Sequence, residues 1–350
     1  MSLPIHPLPP RSNDELDELL SEPRDATVAA LASVPGDVIV IGAGGKMGPT
    51  LARMVVRCVR LAQPAARRRV IAVSRFAAGG AEQSLRDAGV ETVRCDLLDR
   101  NAVARLPDAP NVIYMAGQKF GTTEAPARTW MLNVVAPSVC AERYAGARIV
   151  AFSTGNVYPL VPVASGGARE TDSVGPIGEY AASCLGRERV FEHFAGSAQG
   201  TRVAIVRLNY AVALRYGVLT DLATAILTGR AIPLAMGHVN VIYQRDACRA
   251  AIELLSLTAA PPLVVNVTGS EALSVRDLAR ELGRRLGRDP RFEGVEAGDA
   301  LLSNTSRMRS LVGVPEMPVA TLLDWVAEWV RSARPVLDKP THFEARSGSF

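Results

Sequence analysis

A chain of 350 residues, 48% apolar and 21% charged, is long enough to bury one or two compact cores, and its net charge of +4 is too small to imply a polyanionic partner. Its apolar runs, such as DVIVIG and VIYMAG, are too short to cross a bilayer, and the N-terminal MSLPIHPLPPRSNDE lacks the basic-then-apolar pattern of a secretory leader. Five isolated cysteines, with no C-x-x-C pair, and four scattered histidines predict reduced thiols, no metal centre and a cytoplasmic location.

Residues 1–35 predict a short helical extension, NDELDELLSEP then ATVAALASV, closed by Pro35 and Gly36 before the first strand. Strand-like and helix-like runs then alternate: DVIVIG, a helix from about Lys46, RVIAVS, AEQSLRDAG, VETVRC and NVIYMAG. A long amphipathic segment from Ala127 to Tyr144 leads to ARIVAFSTGNVYP, and a helix carrying Tyr180 leads to TRVAIVRLNY. This rhythm predicts an α/β fold, a doubly wound parallel sheet of about seven strands, as a dinucleotide-binding domain over 36–210. The basic cluster Arg67 to Arg69 precedes a strand and reads as a solvated helix end rather than a nucleic-acid patch. From Ala211 shorter mixed elements predict that 211–334 is mainly a smaller mixed α/β substrate domain. Ser274 reads as an N-cap there, and Leu322, Trp325, Val326 and Trp329 form one apolar face of a last helix. The polar tail, 335–350, declares no role.

The first strand runs into IGAGGKMGPTLARM, with Gly42, Gly45 and Gly48 spaced G-x-x-G-x-x-G before a helix. Glycines there permit a tight turn and let backbone amides approach a pyrophosphate at the positive helix end. Lys46 does not make this a nucleoside triphosphate loop, because Val40 stands where that motif needs its first glycine and Met47 where it needs Ser or Thr. The second strand ends at Ser74 and Arg75, where a carboxylate would bond the adenosine ribose of NAD. A hydroxyl and a guanidinium there favour NADP, with NAD still possible. Asp96, after the third strand, either accepts from the adenine amino group or caps a turn.

Together these segments resemble the extended short-chain dehydrogenase/reductase family, the group of nucleotide-sugar epimerases and dehydratases, over about Asp37 to Arg331. The resemblance rests on GAGGKMG, CDLLD, YMAG, Asn133 in WMLNVVAP, RIVAFSTGNVYP and YAASCLGRE. It implies a Rossmann domain, a sugar-like substrate, a homodimer, and a cofactor site that adds Lys46, Met47, Leu97, Ala116 and Gly117 to the residues above. It also implies that the Thr154 hydroxyl and the Tyr180 phenol bracket a substrate C–O group. The hydroxyl orients the oxygen and the phenol exchanges its proton.

The sequence departs from that family at Cys184. In YAASCLGRE a thiol stands one turn after Tyr180, where the family carries a lysine whose charge favours the phenolate. Two lysines are candidates to replace it: Lys119, in a loop resembling the AG-x-K segment of UDP-galactose 4-epimerases, and Lys46, expected nearer the pyrophosphate. Asn209 and Arg245 are expected to bind substrate hydroxyls or phosphate. An acidic pair after the catalytic threonine marks the dehydratases, and here Gly155 and Asn156 follow Thr154. Two readings follow: an NAD(P)-dependent oxidoreductase or epimerase acting on a sugar hydroxyl or ketone, or a silent NADP(H)-binding sensor or scaffold. The homodimer is expected to pack the helices near 127–144 and 179–194, with Val190, Phe191 and Phe194 as its apolar stripe.

Overall fold

A computed structural model describes residues 8–62, 68–77, 80–337, 339 and 341–348. Its centre is a parallel sheet of seven strands: β1 (Val38–Ile41), β2 (Val70–Ser74), β3 (Glu91–Arg94), β4 (Asn111–Tyr114), β5 (Arg148–Thr154), β6 (Arg202–Leu208) and β7 (Leu263–Val267). Their order across the sheet is β7-β6-β5-β4-β1-β2-β3. The chain reverses its direction of travel between β1 and β4, where Ile41 pairs with Tyr114, so a crevice opens at the carboxyl ends of these two strands.

Strand periodicity sends alternate residues to opposite faces, and both faces are dry. Val38, Val40, Ala72, Ile113 and Val206 share one core with Leu51, Met54 and Val55 of the helix Gly48–Ala62. Ile39, Ile41, Val73, Tyr114 and Ile205 meet the helices Ala136–Arg143 and Gly178–Ala195. A further apolar cluster joins Leu219, Leu222 and Ile226 to Leu322, Trp325, Val326 and Trp329, so the last helix uses its apolar face as core. Ser274 caps the helix Val275–Leu286, accepting from Asp277 N at 3.1 Å.

Three features differ from the sequence expectation. The segment LVVNV, assigned above to the region after Ala211, returns to pair with β6 in parallel as the seventh strand. The 127–144 segment is not one continuous α-helix: a π-turn, Met131–Val135, separates Pro126–Trp130 from Ala136–Arg143. The N-terminal extension is stitched to both cores. Leu16 and Leu20 enter one core and Leu31 another, while Arg24 makes a two-pronged bond to Glu253 at 2.8 and 2.7 Å. Arg68 and Arg69 are engaged by Leu31 O and Asp37, whereas Arg67 lies outside the described residues.

Candidate active site

The glycine loop packs as its spacing requires. Gly42 has φ +94°, and a Cβ there would lie 2.5 Å from the Ala116 nitrogen; a Cβ at Gly48 would lie 2.3 Å from the Ala43 carbonyl oxygen. Gly42 and Ala43 donate to Val73 O at 2.8 and 3.1 Å, which pins the loop to β2. Among the described residues the Lys46 and Met47 amides have no hydrogen-bond acceptor. Two free donors at the start of the helix Gly48–Ala62, beside Gly42, Gly44 and Gly48, where a Cβ would clash, fit a pyrophosphate.

Thr154 and Tyr180 meet in a cavity of about 280 Å³ bounded by this loop, the ends of β4, β5 and β6, and residues 210–218. Tyr180 shares side-chain hydrogen bonds with Thr154 and with Cys184. Thr154 Oγ1 also accepts from Asn156 N and Nδ2, at 3.2 and 2.9 Å. Burial, followed by the neighbouring Cys184, pushes the Tyr180 phenol well above its usual range, while Arg187 and the Thr154 bond act in the opposite direction. Burial likewise pushes up the Cys184 thiol, so residue 184 supplies no positive charge.

Arg187 was not anticipated, although Tyr180, Cys184 and Arg187 follow the i, i+4, i+7 spacing of one helical face. It lines the cavity with Tyr180. Its guanidinium donates to Phe152 O at 2.9 Å, Asn133 Oδ1 at 2.8 Å and Asn133 O at 3.3 Å. The last acceptor exists because Pro137, four residues on, has no N–H with which to close a helical bond to the Asn133 carbonyl. The π-turn directs Asn133 inward, where its amide also bonds Gln118 O and Ser183 Oγ, both at 2.9 Å. The adjacent Glu188 is committed elsewhere: it pairs with Arg207 at 2.7 Å and accepts from Ser153 at 2.5 Å.

Both candidate lysines reach the cavity. The Lys119 ammonium donates to Thr341 O at 3.1 Å, and burial lowers it to about 8. Arg187 acts on both the Tyr180 phenol and the Cys184 thiol, and Lys119 acts on the thiol more weakly. Lys46 Nζ donates to Ala211 O at 3.0 Å and lies 3.5 Å above the centre of the Tyr216 ring, and burial lowers its pKa.

The tail has a place after all. Thr341 donates through its amide and hydroxyl to Asp221 at 2.9 and 2.6 Å, Phe343 is buried, and Arg346 reaches Asp299 and Ala235 O. Residues 341–348 therefore strap the cavity side of the molecule and end against Gly178, two residues before Tyr180. A polar tail has no periodicity by which this could have been read.

The remaining expected residues divide. Asn209 is buried on the cavity wall, donating to Leu301 O at 3.2 Å. Gly117 faces the Arg187 guanidinium and the Ala116 backbone underlies Gly42. Ser74 ends β2 and Arg75, Asp96 and Leu97 follow β2 and β3, all outside the cavity, with Arg75 exposed and Asp96 Oδ1 accepting from Leu98 N at 3.0 Å. Arg245 is not brought to the site: its guanidinium turns away to Glu22 of the N-terminal extension, at 3.2 Å. The proposed dimer stripe is also largely consumed within the chain. Phe191 packs edge-on against the Tyr114 ring, and Val190 and Phe194 lean on the same core.

The model of the NAD dependent epimerase/dehydratase family matches residues 38–268, which span the whole sheet and the cavity floor. The chain belongs to this family. Such membership makes it a nicotinamide-dependent enzyme in class. Among curated proteins none matches it. Solved structures share the fold at low identity. MoeE5 in complex with UDP-glucose and NAD is 22% identical with a TM-score of 0.69, over 85% of this chain and 99% of its own. The UDP-glucose 4-epimerase of Thermotoga maritima with UDP-glucose gives 19% and 0.69, over 85% and 99%. DesIV, a dTDP-glucose 4,6-dehydratase from Streptomyces venezuelae with NAD and TYD bound, gives 21% and 0.71, over 85% and 97%.

Proposed function

We propose that this family member is an oxidoreductase or epimerase acting on a hydroxyl or ketone of a sugar or sugar-derived substrate. The observation that carries the reading is the hydrogen bond between Thr154 and Tyr180 at a cavity floor beside a glycine loop that fits a pyrophosphate. The loop amides and Gly42, Gly45 and Gly48 would hold the dinucleotide, with Ser74 and Arg75 at its adenosine ribose and Asp96 and Leu97 at its adenine. When bound, the nicotinamide supplies the hydride acceptor or donor. Thr154 orients the substrate oxygen, Tyr180 takes or returns its proton, and Asn209 binds a neighbouring hydroxyl. Asn156 follows the threonine where a dehydratase carries an acid, which favours simple oxidation or epimerisation over loss of water. Exposed Arg75 favours NADP. UDP-glucose, bound by two of the solved relatives, is the first substrate to test.

The test combines cofactor titration with product analysis. Wild type should bind NADP more tightly than NAD, Arg75→Ala should level the two, and Tyr180→Phe should lose at least about 100-fold in kcat while cofactor affinity stays within about tenfold. Tighter NAD binding would overturn the cofactor assignment. A second reading, a silent NADP(H)-binding sensor, is favoured by the neutral Cys184 and expects binding without turnover of any sugar nucleotide. For assembly we propose a homodimer through the half-exposed Trp130 and Met131 on the helix side; a monomeric mass in light scattering would refute it.

A further inference from the structure

Arg187 carries a charge that the protein does not neutralise. It is only 6% exposed, yet its bonds go to two carbonyls and an amide oxygen, and among the described residues no carboxylate lies within ion-pair distance. A buried guanidinium with neutral partners alone is several kcal/mol less favourable than a paired one. The chain nevertheless builds a seat for it. Pro137 leaves the Asn133 carbonyl open, the π-turn aims the Asn133 amide, and Gly117 omits a Cβ that would fall 2.3 Å from Nη2. What remains of the guanidinium faces the cavity.

The reach is right as well. Residues seven apart on a helix rise about 10.5 Å, and helical side chains lean toward the N-terminus, which carries the guanidinium back over the preceding turn. Asn133 confirms the level, because the amide that accepts from Arg187 Nη2 donates to Ser183 Oγ, the residue next to Cys184. Resting on the oxidoreductase reading of the site, we propose that Arg187 is its fixed cation, stabilising the Tyr180 phenolate and the oxygen-rich ligand beside it in place of a lysine at 184. Of the other charged or titratable groups nearby, Glu188 is neutralised by Arg207, Tyr114 lies beneath in the core, Lys46 stands over the Tyr216 ring, Lys119 donates to Thr341 O, and Asp221 accepts from Thr341. The downward pull of Arg187 on the phenol agrees.

The test needs no substrate. Protein labelled with tetrafluorotyrosine, whose far more acidic phenol brings the titration into the range where the chain is folded, gives ¹⁹F resonances for residue 180, assigned by their loss in Tyr180→Phe, and the pH midpoint is read without cofactor. In Arg187→Gln, which keeps hydrogen-bond donors and loses the charge, the midpoint should rise by at least about one pH unit, because a lost cation disfavours the phenolate. Arg187→Lys should stay near wild type, and Lys119→Ala should not move it. With NADP(H) and an active sugar, Arg187→Gln should lower kcat about 100-fold and shift the phenol limb of the pH profile upward by the same unit. An unchanged midpoint in folded Arg187→Gln, or a shift in Lys119→Ala instead, overturns the assignment. If Arg187→Gln does not fold, Arg187→His decides, because its imidazole is neutral where the phenol titrates: a raised midpoint supports the role and an unchanged one overturns it. A wild type that shows the Arg187-dependent midpoint yet turns over no substrate would sink the enzymatic reading and leave this one standing.

Discussion

Lys119 sits in the cavity with its ammonium on a carbonyl, and burial moves it down to about 8. Its unfolded value is near 10.4, so between these limits the unfolded chain binds more protons than the folded one. The resulting destabilisation is complete below pH 8 and fades as the pH rises toward the unfolded value. Lys119→Met should therefore raise the Tm more at pH 7 than at pH 10, measured by calorimetry. If turnover uses the charged form, activity falls as pH rises through about 8, and Lys119→Arg removes that limb because a guanidinium stays protonated. At this scale the sequence was partly legible. Thr154, Tyr180 and the glycines stand where backbone geometry demands them, whereas Arg245 was misplaced because nothing local announces that its partner is Glu22, 223 residues away.

The π-turn Met131–Val135 shows how an element carries a site. Pro137, in the first turn of Ala136–Arg143, has no N–H to donate to the preceding π-turn, and the missing bond leaves the Asn133 carbonyl to Arg187. Pro137→Ala restores a competing N–H. It should raise the Tm while lowering kcat several-fold, and the opposite signs distinguish a functional seat from a packing defect. A Tm and a kcat that fall together would reject this account. Strands were legible by their apolar runs, but that β7 pairs with β6 was not, because pattern alone cannot tell which sheet a buried strand joins. The helix of 127–144 read as continuous, because a π-turn keeps the amphipathic pattern nearly intact.

Across the whole molecule, the sheet supplies the floor of the cavity and the strap 341–348 part of its cover. Phe343 anchors the strap in the core that also holds Trp325 and Trp329. Phe343→Ala should loosen it locally: hydrogen exchange at the Thr341 amide, now held by Asp221, should quicken about 100-fold, with the global Tm within about 2 °C. A large fall in Tm would instead make the tail part of the cooperative unit. No helix among the described residues is long and apolar enough to cross a membrane. The parallel sheet and the family were legible in the sequence because they rest on short-range spacing, and the strap was not because the bonds that fix it, to Asp221, Ala235 and Asp299, are long-range.

The three-residue offset between Cys184 and Arg187 makes these positions mutually exclusive hosts for one charge. Lysine introduced at 184 would crowd a second cation against a guanidinium that already lacks a counter-ion, so Cys184→Lys alone should be worse than Cys184→Lys with Arg187→Val. With Arg187 as the fixed cation proposed above, neither single substitution on the way to a lysine at 184 is neutral: the variant with both charges repels itself, and the variant with neither leaves the phenol unaided.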